Sequence, residues 1–395
     1  MQSGLRYNDI LIDLEVEPPM AAALADALDP FFEWAEPSGD ADVSLSVSAA
    51  PPAGWTSPSG DGEAIVVDAS LYPHLRSDGR RWPLPGGAYL IRIEATGSLA
   101  LFNRPERRIA LWNPQFAPCV LDAARLIKGL ATARLEQRGA VQLHCSGVIV
   151  ETAGTPPTAV LLMGDSRQGK TTILLELLKA FRVRQLSCDT VVIGADGSGA
   201  LDVRGWPSPF SASHGTLADH PQLHDFVPTE RRNLTYDGLW RDGHKAVLDA
   251  RTVAQRFGGE IVCAADRIAT FIILRFAPDQ PTGVWPVRSE RAFAAAMHSY
   301  YLGSRDPIYP NWHGYFTSSD MEIDRNISRI AALAFSRCQA LEMVWAPGPE
   351  SLLKRVWPLG EAHATLSTLM PSPETLARPD TPVTNLEARG EAPVG

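Results

Sequence analysis

Residues 164–171 read Gly-Asp-Ser-Arg-Gln-Gly-Lys-Thr, two glycines five positions apart followed at once by a lysine and a hydroxyl. That spacing suits a loop whose backbone N–H groups turn inward around the phosphates of a nucleoside triphosphate. Lys170 would neutralise β/γ oxygens, and the Thr171 hydroxyl would sit on Mg²⁺. Gly164, Asp165, Ser166, Arg167, Gln168, Gly169, Lys170, Thr171 and Thr172 are therefore the expected nucleotide-binding residues. Such a site needs a second component, an acidic group at the end of a neighbouring strand. Asp189 follows Lys170 by 19 residues, the length of one helix and a returning strand, and is the candidate base or Mg²⁺ partner. His144, in Val141-Gln-Leu-His-Cys-Ser-Gly-Val148, is the third candidate. A lone strand histidine is more often packed than catalytic, so only its setting singles it out.

These groups need elements to hold them. The apolar stretch Ala159–Met163 predicts a strand running into the loop, and residues 170–181 a helix leaving it, with its N-terminal dipole toward the anion. Upstream, 117–137 has helical periodicity with Leu121, Leu126, Ile127, Leu130 and Leu135 on one side, and 140–151 reads as a strand. Downstream come a strand over 183–193, a helix near 249–257, a strand over 269–276, a helix over 289–302 and strand–helix signals over 325–357. Such alternation predicts an α/β nucleotide-binding domain over about 116–360. Before it, alternating stretches at 9–16, 42–48, 63–68, 88–95, 98–103 and 107–112, with helical spacing over 20–34, predict a strand-rich α+β module covering 1–115. Residues 371–395 are rich in Pro, Glu, Ala and Thr and read as a disordered tail.

Composition narrows the function classes. A net charge of −9 without a long basic run argues against an extended nucleic-acid surface. Neither a signal peptide nor a membrane-length apolar stretch is visible, and five scattered cysteines without C-x-x-C spacing fit reduced thiols in the cytoplasm. His214, His220 and His224 lack metal-ligand spacing. Tyr300-Tyr301 and Tyr309-Pro-Asn-Trp312-His313 read as packing, with an acceptor-pocket lining as the other reading.

The ordered set Leu143–Val148, Gly164–Thr171, Leu186-Ser-Cys-Asp189-Thr-Val191, Arg204-Gly-Trp206-Pro207, His244-Lys245 and Val287–Arg291 resembles the HPr kinase/phosphorylase family and its related kinases, over about residues 140–305. The resemblance implies a P-loop kinase domain of the HPr kinase/phosphoenolpyruvate carboxykinase type. It also implies ATP and Mg²⁺, a Ser-like hydroxyl on a peptide, protein or small metabolite as acceptor, and homo-oligomers. The implied chemistry is in-line phosphoryl transfer, with Asp189 accepting the hydroxyl proton or holding the metal and His144 as the other candidate base. Arg204 and Lys245 are candidate outer phosphate contacts, and the pair Arg231-Arg232 is a candidate for a loop over the site. Two positions depart from the family pattern. Arg167 stands where the family has its middle glycine, implying a stiffer loop or a guanidinium over the phosphates. Cys188 stands where the family has the first of two aspartates, leaving one carboxylate. Two other readings are a carboxykinase-like reaction on an organic acid and a nucleotide-dependent switch without phosphotransfer.

Overall fold

Alternating burial along the first 112 residues builds a nine-stranded sheet in the computed structural model, which describes residues 2–345 apart from 69–76, 152–155, 182, 242–243, 278, 281–282 and 307–310. The expected tail and Tyr309 lie outside the described residues. The strands are β1 (Gln2–Tyr7), β2 (Ile10–Val16), then after helix α1 (Pro18–Leu28) β3 (Glu33–Ala35), β4 (Val43–Ser48), β5 (Glu63–Asp68), β6 (Ser77–Pro83), β7 (Tyr89–Ile93), β8 (Leu99–Asn103) and β9 (Arg108–Trp112). Their order is β3-β1-β2-β4-β9-β8-β7-β6-β5, parallel only at β2–β4 and β4–β9. The helix expected over 20–34 stops at Leu28, because Pro30 disfavours helix in the residue before it; Phe31 and Phe32 then turn into the core. Helix α2 (Phe116–Gln137) buries Cys119, Ala123, Leu126, Ile127, Leu130 and Leu135 in the same core as this sheet. It was expected to open the second domain; its apolar face packs in a core that the N-terminal sheet shares with Val192, Trp206 and Trp312.

The second half is mixed α/β. Its elements are β10 (Val141–Val150), β11 (Thr158–Met163), α3 (Lys170–Ala180), β12 (Val183–Ser187), β13 (Thr190–Ala195), β14 (Leu201–Gly205), β15 (Phe210–Ser213), α4 (His214–Ala218), α5 (Tyr236–Arg241), β16 (Lys245–Leu248), α6 (Ala250–Arg256), β17 (Ala264–Ala265), β18 (Ile268–Phe276), β19 (Gly283–Pro286), α7 (Glu290–Ser299), α8 (Asp320–Arg337) and β20 (Gln339–Trp345). The main sheet runs β17-β14-β13-β10-β11-β18-β20-β19, with β12 also on β10. Helix α3 packs Ile173, Leu174 and Leu177 on one face, against Val148, Val160, Leu162 and Ile272. On the other face α7 and α8 bring Phe293, Met297, Ile323, Ile327 and Ile330 against Leu143, Leu161 and Phe271. The sheet is thus a buried middle layer, and the loop after β11 emerges near its centre. Of the expected strand–helix stretch 325–357, residues 346–357 lie outside the described residues, and what precedes them is helix α8 followed by β20. A capping box, with Ser319 and Glu322 satisfying each other's backbone N–H, starts that helix at Asp320. No helix among the described residues is long and apolar enough to cross a membrane.

Candidate active site

The loop from Gly164 to Gly169 is shaped by backbone constraints. A Cβ on Gly164 would sit 3.1 Å from the Gln168 Cβ and 3.3 Å from the Leu274 carbonyl, so the chain can pass β18 there only closely. The Gln168 N–H is spent on the Asp165 carbonyl at 3.2 Å, while Arg167 and Gly169 take left-handed φ values of 68° and 92°. The backbone N–H groups of Ser166, Arg167, Gly169, Lys170 and Thr171 donate to no group among the described residues. Unspent donors at a helix N-terminus, joined to left-handed turns, make an anion-binding concavity. Trp345, which no spacing signal in the sequence marks, closes the loop from behind: its indole Nε1–H donates to the Gln168 carbonyl at 2.7 Å. The Gln168 side chain accepts the Phe276 N–H at 2.6 Å, tying the loop to β18 as well.

Arg167 takes a left-handed backbone that a glycine would adopt without strain, with its side chain exposed. The left-handed conformation costs a non-glycine residue about 1–2 kcal/mol. Arg167→Gly is therefore expected to change stability by less than about 1 kcal/mol, since relieved strain is offset by the glycine's freedom when unfolded. Arg167→Val is expected to lose about 2 kcal/mol in urea denaturation, because a β-branched residue tolerates positive φ poorly. Equal loss from both variants would mean that the guanidinium, rather than the backbone, is what matters.

Lys170 opens α3 and is only 6% exposed. Its Nζ donates to the Gly164 carbonyl at 2.7 Å and the Asp165 carbonyl at 3.3 Å. Burial pulls its pKa down to about 8, with Lys245 adding to the effect and Asp189 opposing it. The ordinary lysine value is about 10.4. Between these two pH values the unfolded chain holds more protons than the folded one. Stability conferred by neutralising this lysine therefore rises with pH across that window, and below it the burial cost is felt in full. An anion seated in the loop favours the charged form. Nucleotide affinity is accordingly expected to fall about tenfold from pH 7 to pH 9, measured by equilibrium titration. A flat profile over that range would rule out contact between Lys170 and the phosphates.

The Thr171 hydroxyl donates to the Ser211 carbonyl at 3.1 Å, and the Thr172 hydroxyl pairs with Thr216 at 3.0 Å. Both hydroxyls thus tie α3 to the β15–α4 segment, and Thr171 would have to exchange a carbonyl for a cation to serve as a metal ligand. No cluster of three or more His, Cys, Asp or Glu able to hold a metal occurs among the described residues. The donor set fits Mg²⁺, which characteristically takes one or two protein oxygens and completes its shell with phosphates and water.

The carboxylate is brought in by sheet register. Strand β10 is antiparallel to β11 with Cys145 opposite Met163, so His144, inside β10, lies one position beyond the end of β11, beside the loop. On its other edge β10 pairs with β12 and β13. The single strand expected over 183–193 is broken at Cys188-Asp189, and the register slips at Leu186. Such an extra residue re-aims the side chains that follow it. The Cys145 N–H donates to the Asp189 carbonyl at 2.8 Å, fixing the backbone, and Asp189 Oδ1 accepts from His144 Nε2 at 2.9 Å. The acid is 39% exposed and the imidazole 23%, so both remain within a ligand's reach. Burial acts to raise the Asp189 pKa, but the hydrogen bond and charge of His144, with Lys170 and Lys245, outweigh it and hold the carboxyl below its usual range. Oδ2 accepts no hydrogen bond from the described residues. It is the oxygen left for a proton or a cation.

Cys188 cannot replace the missing aspartate. It is buried, its thiol donates to the Ser208 and Pro209 carbonyls at 3.3 and 3.5 Å, and burial pushes its pKa far above the usual thiol value. Lys245, on β16 opposite Ser213, is half-buried and its charge acts on both Lys170 and Asp189. Arg204, expected near the phosphates, lies elsewhere. Its side chain faces Asp202, with Nε 3.5 Å from Oδ2, and lines a small cleft with Arg6, Tyr7, Phe31 and Cys263 against the N-terminal sheet. Arg232 spends its guanidinium on the Val227 and Asp225 carbonyls, closing its own turn beside Arg231. Tyr301 and Trp312 are buried, and the Tyr301 hydroxyl donates to Glu136, so these rings pack. His220 is enclosed next to Phe257 while His214 stacks on His244 and His224 meets the Ala218 carbonyl; the three histidines do not converge. The geometry therefore joins the loop, Lys170, Asp189, His144 and Lys245 in one site. No protein-family model matches the chain, and no curated protein matches it.

Proposed function

We propose that this chain is an ATP-dependent phosphotransferase of the HPr-kinase-like type, moving the γ-phosphate to a Ser-like hydroxyl of a peptide, protein or small metabolite. The observation that carries this reading is the free, ionised Oδ2 of Asp189, held by His144 within the electrostatic reach of Lys170 and beside a loop with five unspent N–H donors. A switch needs the phosphate grip but has no use for a positioned carboxylate base.

In this reading the loop N–H groups and Lys170 grip the β- and γ-phosphates, and Lys245 supplies outer positive charge. Thr171 is the residue that would hold Mg²⁺, which when bound neutralises phosphate charge. Asp189 Oδ2 orients the acceptor hydroxyl and takes its proton, while His144 fixes the carboxylate through Oδ1. Five cysteines without a disulfide fit a reducing, cytoplasmic setting. Incubation with γ-labelled ATP and Ser-containing peptides or hydroxylated metabolites tests the proposal, with label expected on the acceptor. Tight ATP binding with no label leaving the nucleotide, across a broad acceptor panel, would favour the regulatory switch instead.

A further inference from the structure

A second charged site lies on the N-terminal module. The turn joining β8 to β9 runs Arg104-Pro-Glu-Arg107, closed by the Arg107 N–H on the Arg104 carbonyl at 3.1 Å, with Arg107 at φ 52°. Arg81 of β6 comes alongside. The guanidinium carbons of Arg81 and Arg104 each lie 5.4 Å from the centre of the Tyr89 ring. Phe102 stacks on that ring at 4.8 Å with the planes 7° apart, leaving the two cations its other face and edge. A Cβ on Gly314 would sit 3.3 Å from Arg81 Nη2 and 3.8 Å from Arg104 Nη2, which caps the separation of these two nitrogens at about 7 Å.

Among the described residues no carboxylate comes within ion-pair distance of Arg81, Arg104 or Arg107. The turn's own Glu106 faces Arg108 at 3.9 Å. Neither ring can be the missing anion: burial pushes the Tyr89 hydroxyl up to about 12 despite the two arginines, and the Tyr315 hydroxyl is raised the same way. Arg81 donates one N–H to the Trp312 carbonyl at 2.7 Å, while its Nε and the Tyr315 hydroxyl are buried without a hydrogen-bond partner among the described residues. Three like charges without a carboxylate partner among the described residues, gathered over an aromatic floor in a chain of net charge −9, make a local positive concentration that an anion would complete.

We propose that Arg81, Arg104 and Arg107, floored by Tyr89 and Tyr315, form a binding site for an oxyanion, the phosphate or carboxylate group of a small molecule or peptide. Charge-assisted N–H···O bonds of about 2.7–2.9 Å let one such group accept from both converging guanidinia. The site is independent of the nucleotide loop and is tested with that loop silenced. In the full chain carrying Lys170→Ala, inorganic phosphate and acetate are titrated by calorimetry at constant ionic strength. Saturable binding to one site is expected, weakened at least tenfold by adding Arg104→Gln with Arg107→Gln and unchanged by Arg108→Gln. Both of the first two positions are exposed in the turn, so the fold does not depend on them. Tighter phosphate binding identifies a phosphoryl ligand and tighter acetate binding a carboxylate. No saturable binding of either anion, or binding undiminished by the double substitution, would overturn the proposal.

Discussion

Gly169→Ala is expected to abolish nucleotide binding and to cost about 2–5 kcal/mol of stability, the sum of two independent penalties. The first is conformational: φ is 92° at this position, where a Cβ meets its own backbone. The second is steric. The added carbon would lie 1.8 Å from Cζ2 and 2.3 Å from Cε2 of Trp345. That indole cannot step aside, because it is 1% exposed, packs edge-on against Phe276 at 5.1 Å and donates to the Gln168 carbonyl. The loop must give way, taking the Gly169 and Lys170 N–H groups out of line. Adding Trp345→Leu separates the penalties, since it removes the clash and leaves the φ strain. Measured against Trp345→Leu alone, which carries its own cost of a truncated buried indole, Gly169→Ala is expected to lose only about 1–2 kcal/mol in urea denaturation, and only part of the affinity for a fluorescent nucleotide analogue. If Gly169→Ala alone binds nucleotide like the parent chain, the loop does not grip phosphate in the conformation described.

What could be read from the sequence was local. The loop was legible because each fixed residue answers a backbone or charge requirement within eight positions, and the flanking strand and helix follow from short-range periodicity. The same holds for α2, apart from Leu121, which is exposed, and for β4, β5, β8 and β9, whose alternation survives in their burial. Strand β6 was missed because Asp78, Arg80, Arg81 and Trp82 leave it no apolar face; it is held by pairing on both sides, and Gly79 fits under the Arg92 carbonyl. Strand β1 likewise draws its place from β2 and β3 rather than from its own pattern.

The parts of the site that escaped are those made by distant chain segments. Trp345 meets the loop across 177 positions, and no spacing rule reaches that far. The slip at Leu186 and the break at Cys188-Asp189 are decided by how β12 and β13 share β10, so a continuous strand looked adequate. Arg204 was misplaced because charge type says nothing about which sheet edge a side chain faces. One error was avoidable. Ser319-x-x-Glu322 is a helix-start signal, and reading it would have put α8 before β20.

Asp189→Asn is expected to lower phosphoryl-transfer turnover by about 10²–10⁴ while leaving nucleotide affinity within a few-fold, the pattern of a lost general base. Asparagine keeps the shape and can still meet His144, so the β10–β13 junction, which hangs on the Asp189 backbone carbonyl, should hold. What disappears is the negative charge and the free Oδ2. Because that charge raises the Lys170 pKa, its loss should carry the Lys170 titration below about 8 and shift the pH profile of nucleotide binding to lower pH. In the parent chain the carboxyl is already ionised well below neutrality, so turnover should show no acid limb from Asp189 until the pH falls under the ordinary carboxylate range. His144→Gln acts through Asp189: by removing the charge-assisted bond it should raise the carboxyl's pKa, move the acid limb upward and cost turnover less than Asp189→Asn does. Turnover of Asp189→Asn within tenfold of the parent would sink the assignment of this carboxylate as base. A larger loss from His144→Gln than from Asp189→Asn would transfer that role to the imidazole.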